Sequence, residues 1–192
     1  MWGKYLMSFK KYSTLEGKHA FLSPSSYHWI NYDISKLKTA YRNWKAAQRG
    51  TQLHAFAKDC ITYEQRLLPM NQTLDMYVND AISLRMSPEQ PLYYSPYCFG
   101  TADAISFKGD QLIIHDLKTG VTPASLHQLE LYAALYCLDY DIRPNEINTT
   151  LRIYQNNDIL EGTATPEILV PHMDRIQTFS KILEEMDEEE GV

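Results

Sequence analysis

The feature that most constrains this chain is a two-residue bend, Gly109-Asp110, between two stretches of alternating polar and apolar residues at 97–107 and 111–118. Gly-Asp suits a tight hairpin loop, because glycine accepts the positive φ that matches the twist of the flanking strands. With that loop Lys108 faces Gln111, and stepping back along both strands brings Asp103 directly opposite Asp116. Opposed side chains have Cβ atoms about 4.5–5.5 Å apart, where two like charges destabilise unless something compensates them. A divalent cation is the natural compensation, since Mg²⁺ takes one or two carboxylates together with phosphate and water. Pleat alternation adds Lys118 to the same face, about 6.6 Å beyond Asp116. Acids paired on a solvent-open hairpin are the competing reading. Against it, Ile105, Phe107, Leu112 and Ile114 share the acidic face, and Ala104, Ser106, Ile113, His115 and Leu117 form the other. Both faces being largely apolar, a central and covered hairpin is expected, and bare carboxylates there are costly.

The rest of the chain supplies helices and further strands around that hairpin. Residues 35–49 read as a helix with an apolar stripe of Leu37, Ala40, Tyr41 and Trp44, capped by Ser35 and interrupted or ended by Gly50. Two more helices are expected at about 51–67 and 71–85, a short strand at 92–95, and a long helix from about 124 to 138 after Thr122-Pro123. A β-branched strand at 146–154, a short strand near 159–163 and a helix at about 166–186 complete the pattern. The expected class is α/β or α+β: a central mixed sheet flanked by helices, in a single domain covering 1–192. Within it, 1–50 is a basic helical part, about 50–165 the core, and 166–192 a closing helix and acidic tail.

The net charge of −6 hides a division. Residues 1–50 carry nine Lys/Arg and two acids, while the run 184–190 holds six acids and is expected to be disordered. Lys38, Arg42, Lys45 and Arg49 on the basic helix are candidate phosphate contacts, with an ordinary solvated face as the alternative. Cys60, Cys98 and Cys137 form no CxxC pair, so neither a zinc site nor an iron–sulfur cluster is expected, and buried reduced thiols are. No run approaches the roughly 18 apolar residues of a membrane helix. The amino terminus lacks a secretory apolar stretch, so a cytoplasmic location is expected.

Four motifs in order carry a resemblance. Gly100-Thr-Ala-Asp103 followed by Asp116-Leu-Lys118-Thr-Gly120 resembles the G-x-x-D … (D/E)-x-K core of PD-(D/E)XK nucleases. Gly50-Thr-Gln-Leu-His54 and Gln128-Leu-Glu-Leu-Tyr132 are similar to the histidine and Q-x-x-x-Y motifs of the RecB-nuclease-like subgroup, which includes phage and prophage exonucleases. The likeness spans about residues 48–155. It departs from the family pattern at Ala102, where proline is usual, and at Asp116, where glutamate is the commoner acid.

The resemblance implies a restriction-endonuclease-like core and metal-dependent hydrolysis of DNA, by an exonuclease rather than an endonuclease or nickase. It implies one or two Mg²⁺ or Mn²⁺ ions held by His54, Asp103, Asp116 and the Leu117 carbonyl. Lys118 would position the attacking water, and Gln128 and Tyr132 would contact the lysine, the water or the substrate backbone. It implies DNA as partner, with a single-strand annealing protein and a homo-oligomer among the assemblies such enzymes form, and no membrane. A non-catalytic nucleic-acid-binding module that kept the fold, or hydrolysis of another phosphate ester, are the readings to be distinguished. His115 and His127 are expected to be structural, and Glu64 to face solvent.

Overall fold

The computed structural model describes residues 13–15 and 19–190. By its internal contacts the chain divides into two units, residues 1–48 and 49–192.

The described part of the first unit holds two short 3₁₀ segments, Ser13–Leu15 and Pro24–Asn31, and the opening half of helix α1 (Ile34–Thr62). Phe21 packs edge-on against Tyr41 (5.1 Å between centroids) and at a tilt against Trp44 (5.7 Å). The Trp29 indole N–H donates to the Ser23 carbonyl at 2.9 Å. Asp33 caps α1 in place of Ser35, its Oδ1 accepting the Lys36 N–H at 2.8 Å. A carboxylate one residue before the first turn satisfies one of the four N–H groups that a helix start leaves open.

α1 runs through Gly50 without a break, so the two helices expected on either side of it are one. Glycine costs a helix interior about 1 kcal/mol relative to alanine, and the reason for it here is proximity. A Cβ on Gly50 would lie 2.9 Å from Thr119 Oγ1.

In the second unit α1 is followed by α2 (Thr73–Ser83) and then β1 (Ser87–Ser95), β2 (Cys98–Lys108) and β3 (Gln111–Leu117). α3 (His127–Asp139) crosses to β4 (Asn148–Gln155), β5 (Asp158–Gly162) follows, and α4 (Pro166–Glu190) closes the unit. The five strands form one sheet in sequence order. β3 and β4 are parallel and every other neighbouring pair is antiparallel. The architecture is therefore α+β, a mixed sheet flanked by helices. β1 is an edge strand, and the Tyr93 N–H on it donates to Asp139 Oδ2 at 3.0 Å.

The hairpin follows the expected register, Lys108 facing Gln111 and each pair back to Ala104 facing His115. Gly109 has φ +67°, as a glycine in the first loop position requires. Both faces of the hairpin are covered. On one, Leu92, Ile105, Leu112, Ile114, Leu151 and Ile153 pack with Leu129, Ala133 and Leu169 of α3 and α4. On the other, Ala104, Leu117 and Tyr154 pack with Ala57, Cys60 and Ile61 of α1 and Val78 and Ala81 of α2. Burying each of the larger aliphatics contributes about 1.5–3 kcal/mol.

Three further expectations change. β1 begins at Ser87 rather than near residue 92, and α3 begins at His127, with 124–126 irregular before it. The acidic run 184–190 is helical, not disordered, because α4 continues to Glu190. Tyr97 donates its hydroxyl to Asp187, and Lys181 pairs with Glu185 one turn on at 3.6 Å. No helix of the described residues is long and apolar enough to cross a membrane.

Candidate metal centre

The β2–β3 ladder stops at Ala104–His115, one step short of the two acids. Asp103 reaches β3 with its side chain instead, its Oδ2 accepting the Leu117 N–H at 2.9 Å. The acids thus flank the end of the ladder rather than facing each other within it. Leu117, one of the expected ligands through its carbonyl, enters the centre by this backbone contact.

On α1, His54 continues the stripe of Ala57, Cys60 and Ile61 that seats the helix on the sheet. Its Nδ1 lies 3.4 Å from Asp103 Oδ2. The hydrogen bond to Asp103 is the main cause that holds the imidazole pKa above its usual value, against the effect of burial.

A third group joins that the sequence reading passed over. Pro88 pairs with Ala104 and Gln90 with Ala102, which leaves Glu89 opposite Asp103. Glu89 has φ +50°, a left-handed conformation that costs a non-glycine residue of order 1 kcal/mol or more and that concentrates at functional sites. Ligand atoms of His54, Glu89 and Asp103 all lie within 4.8 Å of one another, on half-buried side chains. The only sequence signal for Glu89 was an acid set between two prolines, Pro88 and Pro91, a pattern that reads as a turn.

Asp116 stands beside this cluster with a side chain only 3% exposed. Burial first, and the Asp103 charge second, raise its carboxyl pKa, while Lys118 opposes them. Lys118 Nζ donates to Asp116 Oδ1 at 3.0 Å and to Gln128 Oε1 at 2.8 Å. The lysine backbone is fixed too, its N–H donating to the Tyr154 carbonyl at 2.9 Å. Asp116 Oδ2 is buried and, among the described residues, has no hydrogen-bond partner. An unpartnered buried oxygen is expensive, and a cation is one kind of group that would satisfy it. Three carboxylates and one ammonium leave an excess of negative charge, so the residues present fit a divalent cation.

Helix α3 supports the centre from the side. Gln128 and Tyr132 are four residues apart and share a face. Gln128 holds Lys118, and the Tyr132 hydroxyl donates to the Thr101 carbonyl at 2.7 Å. A Cβ on Gly100 would come within 3.0 Å of the Tyr132 ring, so glycine lets the ring lie against β2. Tyr77 of α2, buried, feels the charges of Asp103, Glu89 and Asp116, and burial above all raises its pKa.

Of the expected site residues, His54, Asp103, Asp116, Leu117, Lys118, Gln128 and Tyr132 belong to one neighbourhood. Lys38, Arg42 and Lys45 are exposed on the part of α1 in the first unit, Lys45 with its ammonium 5.9 Å from the Tyr41 ring. Arg49, also exposed, opens the second unit. His115 is fully buried, His127 is exposed and pairs with Glu130, and Glu64 is exposed. No family model matches the chain, and neither a curated protein nor a solved structure matches it.

Proposed function

We propose that this chain is a divalent-metal-dependent nuclease of the PD-(D/E)XK kind, hydrolysing DNA phosphodiester bonds and acting from strand ends. The observation that supports it most is the contact chain Asp116–Lys118–Gln128 lying beside the His54–Glu89–Asp103 cluster. Carboxylate oxygens with an imidazole nitrogen suit Mg²⁺ and also admit Mn²⁺. His54, Glu89 and Asp103 would hold one ion; Asp116 lies outside that group and would offer its unpartnered Oδ2 beside it. When bound, such an ion stabilises charge on the phosphate and makes water easier to deprotonate. Lys118, fixed by two hydrogen bonds, orients the attacking water and offsets charge on the phosphate oxygens. Gln128 keeps the amine aimed, and Tyr132 fixes the Thr101 backbone two residues before Asp103. Attack in line forms the new P–O bond as the bond to the 3′-oxygen breaks, leaving a 5′-phosphate. The preference for strand ends rests on the likeness of the His54 and Gln128/Tyr132 motifs to RecB-type nucleases. Lys38, Arg42, Lys45 and Arg49 are proposed phosphate contacts, which would make binding weaken as salt rises.

The test is incubation of purified protein with linear duplex, single-stranded and circular DNA in Mg²⁺, Mn²⁺ or EDTA. Linear DNA should be degraded with either metal and remain intact in EDTA. Lys118→Ala should slow turnover by about 10²–10⁴-fold, the usual span for a proton-transfer group. An unchanged rate removes the mechanism. Cutting of circles would make the enzyme an endonuclease, and tight metal-independent binding with no turnover would make it a binding module. Turnover of small phosphodiesters but not of DNA would point to a different phosphate ester.

A further inference from the structure

We propose that Tyr93 and Phe99 form a stacking platform for unpaired bases of the strand being hydrolysed, on the same strip of the β1–β2 ribbon as the metal centre. The inference rests on the nuclease reading and adds to it a substrate form, a single strand or frayed end, and two positioning residues.

The register of β1 and β2 sets out the strip. Tyr93 faces Phe99, Pro91 faces Thr101, and Glu89 lies opposite Asp103. The residues between them, Leu92 and Ala102, are 1% exposed and belong to the core on the other face. Period-two alternation lines up the aromatic pair and a pair with small side chains on the side away from that core. The alternation breaks at the next pair, where Glu89 is left-handed and Ala104 already joins the core under α1, and it is the contact with His54 of α1 that brings Asp103 to the same side. Phe99 and Asp103 are four positions apart, about 13 Å along a strand. That distance is about four base steps at the stacked rise of roughly 3.4 Å, and fewer in an extended strand. Pro91 and Thr101 between the two stations leave the path low.

The aromatic pair is assembled yet open to solvent. The rings stack at 6.3 Å between centroids with planes 24° apart, yet Tyr93 is 52% and Phe99 68% exposed. Their backbone is held from behind by α3, through the Tyr132 hydroxyl on the Thr101 carbonyl and Asp139 on the Tyr93 N–H. A preorganised pair of π faces binds bases without regard to sequence, which suits a strand fed toward a hydrolytic centre. Bases inside a duplex have both faces covered by their neighbours, so a duplex offers only the outer face of its last pair, whereas each unpaired base offers its own.

Binding is measured in the Lys118→Ala background with Mg²⁺, using fluorescent single-stranded oligonucleotides and a blunt duplex of equal length. Tyr93→Ala with Phe99→Ala should weaken the single strand by about tenfold or more, with little change for the duplex and none in Mn²⁺ affinity. Tyr93→Phe with Phe99→Tyr should restore binding, and abasic sites at the positions that reach the platform should erase the difference between variants. Unchanged single-strand affinity, or equal loss on both forms, overturns the proposal. So does a fall in oligomeric state on sedimentation of the alanine pair, which assigns the rings to self-association. Single-strand binding that depends on the rings, in a protein that never cuts, sinks the nuclease reading and leaves the platform. Cutting of single strands that ignores the rings does the reverse.

Discussion

His115 gives the sharpest quantitative expectation. It sits in β3 with no exposed surface, its ring 5.1 Å from that of Tyr154, and among the described residues neither ring nitrogen has a hydrogen-bond partner. Burial, with the Arg152 charge second, pushes its pKa down from 6.5 to about 3. In the unfolded chain the same ring titrates near 6.5. Between those values a proton favours the unfolded chain. The contribution of the neutral ring is therefore complete above about pH 6.5 and is lost as pH falls toward 3. At about 1.36 kcal/mol per unit, the loss is about 2 kcal/mol at pH 5 and about 3 kcal/mol at pH 4. Carboxylates titrate in part of this range, so the comparison is between wild type and His115→Leu, a change of similar volume. Urea unfolding in EDTA at pH 7.5 and 5 should show wild type losing about 1 M more of its midpoint than the variant, for a slope near 2 kcal/mol/M. Far-UV circular dichroism is the readout, because Trp2, Trp29 and Trp44 all lie within residues 1–48. At pH 7.5 the variant should be no less stable, since each orphaned nitrogen carries a desolvation cost of about 1–3 kcal/mol. Parallel pH profiles for the two proteins would refute the argument, by showing that the ring is protonated or bonded in the fold.

Three other expectations follow from the site. Glu89→Gln should weaken Mn²⁺ binding by about tenfold or more, read as a smaller ion-induced rise in melting temperature, while metal-free stability holds or improves as like charges separate. Gly50→Ala should not gain the roughly 1 kcal/mol that helix propensity offers; displacing Thr119 should instead disturb Lys118 next to it and lower turnover more than stability, which kcat and urea midpoints will separate. Gln128→Ala should lower turnover less than Lys118→Ala does, because it frees the amine without removing it; equal losses would give Gln128 a direct role with the substrate.

What was legible in the sequence was local. A two-residue loop fixed the hairpin register, since loop length leaves no freedom once the alternation is given. His54, Asp103, Asp116, Lys118 and Gln128 could be placed on their elements because each lies inside a strongly patterned segment. What escaped depended on contacts distant in sequence. Glu89 sits in Ser87-Pro88-Glu89-Gln90-Pro91, which reads as a turn; only pairing of β1 with β2, and a left-handed residue within it, turns that acid toward Asp103. Gly50 reads as a helix end because its reason, Thr119, is 69 positions away. The acidic run 184–190 looks like a tail by composition, and the Tyr97 hydroxyl that meets Asp187 comes from 90 positions earlier in the chain.

The exposed side of β1 has a bearing on self-association. Successive N–H groups of a strand point alternately to its two neighbours, so the N–H of residue 91 would point the same way as that of Tyr93. Residue 91 is proline and has no N–H to give, and that of Tyr93 is occupied by Asp139. A second chain trying to extend the sheet here would meet two vacant rungs in a row, a standard protection against edge-to-edge aggregation. Around residues 91 and 93 the backbone of β1 therefore offers an incoming strand no N–H to pair with, and a second copy finds no easy way to lengthen the sheet at that point.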